Sequence, residues 1–207
     1  MIGKEAFCAA IDVSRETLAR LESYDATLRK WNAAINLVSP QTVDRLWTRH
    51  FLDSAQIFAL MPADSLSWAD LGSGGGFPGL VVAILAAEQR PDLRITLVES
   101  DGRKAAFLAT TANALGLSIA VKAQRIENVP PLNADVLSAR ALAPLVDLLG
   151  FAERHLSENG RCLFPKGKRW RDECAEAQKS WRFTYTPHRS ATDPDAVILE
   201  VEGVQRV

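Results

Sequence analysis

The stretch W-A-D-L-G-S-G-G-G-F-P-G, Trp68 to Gly79, decides the reading of this chain. Apolar residues lead into Asp70, and four glycines then fall within the five positions from Gly72 to Gly76. Phe77, Pro78 and Gly79 follow, and an apolar run continues from Leu80 to Ala87. The pattern predicts a buried strand, a tight glycine turn and a helix. Glycine lets such a turn take positive φ and lets a ligand approach bare backbone. Pro78 suits the first helical turn, where its missing N–H is no loss. The free N–H groups of that helix end face whatever the turn holds.

Working outward, the period alternates on both sides of this stretch. Strands are expected at Leu66–Leu71, Arg94–Glu99, Ile119–Ala123, Asp135–Ala139, Arg161–Phe164, Arg182–Tyr185 and Val197–Val201. Helices are expected between most of them, at Gly79–Glu88, Arg103–Leu115, Leu145–Leu156 and Arg171–Ser180. Strands alternating with helices mean βαβ units, a parallel sheet and right-handed crossovers. The last two strands are separated only by Thr186–Asp195, with Pro187 and Pro194, and should pair antiparallel at one edge. Ligands of such sheets bind outside the carboxyl ends of the strands.

Residues 1–62 read as a helical extension, and 63–207 as the α/β domain. Ser14 is a candidate N-cap with Glu16 in the first turn, ahead of Leu18, Leu21, Tyr24, Leu28, Trp31 and Ile35 at helical spacing. Ser39-Pro40 reads as a second start. Val43, Leu46, Trp47, Phe51, Ile57 and Phe58 then mark one amphipathic helix toward Met61, which Pro62 ends.

With 207 residues, 47% hydrophobic and 24% charged, the chain has the composition of a soluble globular protein. A formal net charge of −1 confines any basic surface to a local patch. Cys8, Cys162 and Cys174 form no C-x-x-C, and His50, His155 and His188 are equally scattered. The expectation is reduced thiols in a cytoplasmic protein, with no metal site. No signal peptide or membrane span is expected behind Lys4 and Glu5.

The strand ends carry the candidate site. Gly74-x-Gly76-x-x-Gly79 satisfies the dinucleotide fingerprint literally. The register Asp70-x-Gly72-x-Gly74-x-Gly76, directly off the strand, instead resembles the first motif of class I S-adenosylmethionine methyltransferases. Glu99-Ser100 ends the second strand, where a carboxylate can bind two ribose hydroxyls. Arg125-Ile126-Glu127 follows the third. After the fourth comes Ser138-Ala139-Arg140, without the Asn/Asp-Pro-Pro-aromatic or the cysteine used by other base methyltransferases. Arg140 is a fixed planar cation suited to phosphate, carboxylate or a base edge. Pro165-Lys166-Gly167-Lys168-Arg169-Trp170-Arg171 after the fifth strand combines cations with an indole, the equipment for single-stranded nucleic acid, or else a solvated loop. Arg49 and Asp53 could pair at i,i+4, and His50 could contact RNA or pack against the core. A short-chain dehydrogenase would need Tyr-x-x-x-Lys, but Leu28 follows Tyr24 and Arg189 follows Tyr185 at that spacing.

Together these pieces resemble the bacterial glucose-inhibited division protein B family, the 16S ribosomal RNA guanine-N7 methyltransferases. The resemblance rests on W-N-A-A-I-N-L (31–37), R-H-F-L-D-S (49–54), D-L-G-S-G-G-G-F-P-G (70–79), E-S-D-G-R-K-A-A-F-L (99–108), A-Q-R-I-E (123–127), A-R-A-L-A-P-L (139–145) and P-K-G (165–167). Val38 and Ile126 depart from the residues usual there. The resemblance implies a class I fold, seven strands with an antiparallel terminal hairpin plus the helical extension. It implies methyl transfer from S-adenosylmethionine to a guanine in the 530 loop of 16S RNA, with cofactor contacts at Gly72, Phe77, Ile126, Glu127 and Arg140. The turn and strand ends extend that set to Asp70, Ser73, Gly74, Gly76, Glu99 and Ser100. Arg49, His50, Arg103, Arg125, Lys166, Lys168 and Arg169 are the expected RNA contacts. Guanine N7 has a free lone pair at neutral pH, so no general base is expected, and Arg140 should position the substrate or the cofactor carboxylate. The implied partner is 16S RNA or the assembling small subunit, and the expected state is a monomer.

Overall fold

The computed structural model describes residues 2–207, so Met1 of the expected extension lies outside it. Seven strands form one sheet in the order β3-β2-β1-β4-β5-β7-β6. They are β1 (Ser67–Leu71), β2 (Arg94–Val98), β3 (Ile119–Lys122), β4 (Ala134–Ala139), β5 (Leu156–Lys166), β6 (Trp181–Arg189) and β7 (Val197–Arg206). The first five run parallel, and β7 is antiparallel to both β5 and β6. The topology therefore switches between β1 and β4, which opens a crevice at their carboxyl ends.

Helices α5 (Gly79–Gln89), α6 (Gly102–Ala114), α7 (Leu145–His155) and α8 (Trp170–Ala177) connect the strands. Every residue of α5 from Gly79 to Ala86 is buried, the mark of a helix covered on all sides. Helices α2 (Arg15–Asn32) and α4 (Leu52–Phe58) of the N-terminal extension, which also holds α1 (Ile2–Ala10) and α3 (Pro40–Val43), pack on it. Ser14 caps α2 by accepting from the Thr17 amide at 3.1 Å. Thr17, Leu21, Tyr24 and Leu28 form its buried stripe. One core joins this stripe to Trp68, Phe77 and Leu97, and a second, on the opposite face of the sheet, holds Leu71, Val98 and Leu137 with α7 and α8.

The sequence expectations need correction at several points. Ser39 caps no backbone amide of the helix it precedes, and its hydroxyl meets that of Thr42 at 3.1 Å instead. The single helix expected from Val43 to Met61 is broken: α3 ends at Val43, and Trp47–Phe51 is one π-helical turn leading into α4. That turn closes from the Leu52 amide to the Trp47 carbonyl. Among the described residues Arg49 forms no ion pair with Asp53 and pairs with Asp193 at 3.4 Å instead. Strands β6 and β7 are longer than expected because their hairpin pairing carries them past their apolar cores, and β5 begins early, at Leu156, where it pairs with Ala134 of β4.

Candidate active site

A cavity of about 1030 Å³ opens at the carboxyl ends of β1, β2, β4 and β5. One side is the glycine turn. Gly76 has φ +93, and a Cβ there would stand 2.6 Å from the Tyr24 hydroxyl. A Cβ on Gly75 would stand 2.9 Å from the Leu37 carbonyl oxygen. Side chains are thus excluded by the extension as well as by backbone conformation. The Tyr24 hydroxyl donates to the Gly75 carbonyl. Its ring stacks on Phe77 with 5.4 Å between centroids. Asn32 accepts from the Leu37 and Val38 amides at 2.9 and 3.0 Å, and so shapes the loop that meets the turn.

Asp70 lies beneath the turn, fully buried, and is not among the described residues lining the cavity. Its carboxylate accepts from the Ser138 hydroxyl at 2.7 Å and from the Gly79 amide, the first of α5, at 3.2 Å. Burial pushes this carboxyl up to about 6, against the opposing pull of those hydrogen bonds. The expected direct ligand contact is thereby corrected to a brace. Gly76 likewise faces Tyr24 and Leu80 rather than the cavity. Gly72, Ser73, Gly74 and Phe77 do line it.

Glu99, Ser100, Ile126 and Glu127 line the same lobe. Glu99 accepts from the amides of Gly74 and Asp101, both at 2.8 Å. Each oxygen keeps a second lone-pair site, enough for two hydroxyls at the cavity wall. The turn at Ile126 is held from behind by α7: His155 Nε2 donates to the Ile126 carbonyl at 3.2 Å, and Arg154 to Val129 at 3.1 Å. Bare glycine backbone, a carboxylate and an apolar residue fit the phosphate-free sugar and base of an adenosyl group.

Arg140 stands where the two lobes meet. Its Nη2 lies 2.7 Å from His50 Nδ1, its Nη1 donates to the Arg49 carbonyl at 3.4 Å, and its guanidinium sits 5.0 Å from the Phe77 ring centre. A guanidinium only donates, so His50 Nδ1 accepts and the imidazole is neutral with its proton on Nε2. Burial first, then Arg140 and Arg49, lower the His50 pKa to about 3. His50 is therefore a support for Arg140, tilted against Phe77 at 4.8 Å, and the expected RNA contact is corrected accordingly.

The cations divide into exposed and buried ones. Lys166, with 8% of its side chain exposed, donates to Glu173 at 2.8 Å and to the Ala143 carbonyl at 3.1 Å. It pins the loop after β4 to α8, which corrects its reading as an RNA contact. Trp170 is buried and covered by Arg171 at 4.2 Å, so its indole cannot stack on a base. Arg103, Arg125, Lys168 and Arg169 are exposed. Arg125 also lines the cavity, together with Lys104, which the sequence reading missed. Asp53, Gln56, Thr192 and Asp193 line the far lobe and were missed too. The signal for Asp53 was present in R-H-F-L-D-S, but its partner lies in the β6–β7 connection.

No cysteine is among the described residues lining the cavity, and burial raises both Cys162 and Cys174. Among the described residues no group of three His, Cys, Asp or Glu could hold a metal ion. No described helix is long and apolar enough to cross a membrane.

The profile of the GidB family, described as rRNA small subunit methyltransferase G, matches residues 17–195. The chain belongs to the GidB family. The match runs past Trp170, beyond the motifs that carry the resemblance in the sequence. Among GidB relatives, a ribosomal RNA small subunit methyltransferase G from a Ruegeria species is 58% identical over 197 residues, 95% of this chain and 96% of the relative. Another of that name from Cereibacter sphaeroides is 52% identical over 204 residues, 99% of each chain. The fold is shared more widely. A SAM-dependent methyltransferase from Aquifex aeolicus superposes with TM-score 0.59 at 11% identity, covering 86% of this chain and 98% of that one. The sheet and its antiparallel hairpin are thus those of a class I methyltransferase fold, to which the N-terminal helices are added.

Proposed function

We propose that this GidB protein transfers the methyl group of S-adenosylmethionine to N7 of a guanine in the 530 loop of 16S ribosomal RNA. One observation carries the reading: a single cavity runs from Glu99 and the glycine turn, past Arg140, to a polar lobe at Asp53. When bound, S-adenosylmethionine supplies an electrophilic sulfonium methyl. Glu99 binds the ribose hydroxyls, Ile126 and Glu127 flank the adenine, and the amides of Gly72 to Gly74 lie along the rest. Arg140, held by His50 and Phe77, orients the cofactor carboxylate or the substrate. Asp70 and Ser73 keep the turn in shape.

N7 attacks with its own lone pair, so the protein has to align N7, methyl and sulfur and exclude water. A neutral His50 and raised cysteines agree with chemistry that needs neither base nor covalent nucleophile. Arg103, Arg125, Lys168 and Arg169, with Arg49 at the rim, contact RNA phosphates. Residues 1–62 form the extension that backs the turn of a methyltransferase domain at 63–207. The protein acts in the cytoplasm, as a monomer, on 16S RNA or the assembling small subunit.

The test is mass mapping of nucleosides in 16S RNA after treatment with the protein and labelled S-adenosylmethionine. A single 7-methylguanosine in the 530 loop is expected. Label elsewhere would keep the class and discard the target; cofactor binding without label in RNA would discard the substrate.

A further inference from the structure

The lobe beyond Arg140 contains a carboxylate that the reading above does not use. Asp53 is half-buried there, in the first turn of α4. Its Oδ1 accepts from Gln56 Nε2 at 3.2 Å and from the Thr192 hydroxyl. These bonds belong to a latch that ties the β6–β7 connection to the extension. Gln56 accepts from the Ala191 amide at 2.9 Å, and Arg49 pairs with Asp193. The latch uses one oxygen of Asp53. Among the described residues no hydrogen bond reaches Oδ2, and Asp53 lines the cavity. An acceptor is left over at the cavity wall.

The substrate chemistry limits what that acceptor can meet. Guanine shows two acceptors, N7 and O6, on the edge that must face the methyl donor. Its opposite edge shows N1–H and the 2-amino group, both donors, which a carboxylate can accept together. Adenine also has an N7, but its N1 is an acceptor and would be repelled by a carboxylate. Methylation at N7 leaves the ring with positive charge, and Arg140 is already a cation in that lobe. A carboxylate on the far side offsets both. Burial raises the Asp53 carboxyl, while the Thr192 hydroxyl, Arg140 and Arg49 pull it back.

We propose that Asp53 is the specificity-determining residue for the target base, accepting from N1–H and the 2-amino group of guanine. This rests on the guanine-N7 reading above. The test replaces the target guanosine by inosine, which keeps N7 and lacks the 2-amino group, in ligated 16S RNA assembled into small subunits. Wild-type kcat/KM should fall roughly 10- to 100-fold on inosine, the cost of one lost hydrogen bond to a charged acceptor. In Asp53→Asn the guanosine rate should fall and the guanosine-to-inosine ratio should shrink to near one. Arg161→Gln, which removes the ion pairs to Glu200 and Glu202 outside the cavity lining, should lower stability and keep the wild-type ratio. If Asp53→Asn does not fold, Asp53→Glu, which displaces the carboxylate by a methylene, should also narrow the ratio. Equal wild-type rates on guanosine and inosine would overturn the proposal, as would a wild-type ratio in the Asp53 variants. A wild type that binds cofactor yet forms no 7-methylguanosine would instead overturn the substrate itself.

Discussion

Asp70 and Arg140 illustrate how a motif residue can serve the site without the role its position suggests. Asp70 opens the glycine motif, yet it is spent on Ser138 and the start of α5. Its carboxyl holds a proton to about pH 6 in the folded protein, whereas an unfolded aspartate releases it near 4. Between those values the native state binds the extra proton, so stability falls as pH rises through the window. The change corresponds to about 3 kcal/mol for this group alone. Urea denaturation of wild type and Asp70→Asn at several pH values should show their difference shifting across that window, favouring the variant at higher pH. Arg140 makes a charge-assisted contact at the junction of the lobes, and Arg140→Ala should cost roughly 10- to 100-fold in kcat/KM. Its pH–rate profile should gain no new ionisation near neutrality, because burial remains the first cause of the low His50 pKa. An inflection appearing there would show that His50 takes part as a base.

Among the elements, the N-terminal helices do more than extend the chain. Helix α2 lends Tyr24 to the Gly75 carbonyl, and Asn32 shapes the loop whose Leu37 carbonyl confronts Gly75. The cofactor turn is therefore held between α5 and the extension. Tyr24→Phe strands a buried carbonyl and should cost about 1–2 kcal/mol of stability. It should also weaken S-adenosylmethionine binding several-fold by calorimetry, although Tyr24 is not among the described residues lining the cavity. Unchanged affinity would mean that the turn keeps its shape without the extension. The π-helical turn at Trp47–Phe51 carries Arg49, which pairs with Asp193, and leads into α4, whose Asp53 accepts from Thr192 and Gln56.

For the molecule as a whole, a net charge of −1 requires that RNA meet a selected set of cations. The exposed ones, Lys168 and Arg125 among them, the latter only loosely paired with Glu127 at 3.7 Å, should each contribute to the salt dependence of RNA binding. Removing either should lower the slope of log K against log salt by about 0.7–0.9. Lys166→Gln should leave the slope unchanged and reduce stability instead, because Glu173 then loses its buried partner. A slope reduced by Lys166→Gln would return that lysine to the RNA surface.

The sequence by itself determined the strand–turn–helix at Trp68–Gly79, the alternation that makes a parallel sheet, the antiparallel end and the family. These are encoded locally: hydrophobic period, glycine and proline act within a few residues, and the motif order needs no coordinates. Glu99 was legible for the same reason, as an acidic residue ending a strand. Tertiary structure alone decided what each charge does. Lys166 and Lys168 are near neighbours in one basic run, yet one is buried on Glu173 and the other exposed. Asp53 and Thr192 lie 139 residues apart, and Arg140 and His50 lie 90 apart. A side chain's charge, tautomer and availability follow from which groups surround it and how much water they exclude. Chain closure over such separations brings those groups together, and no local pattern records it.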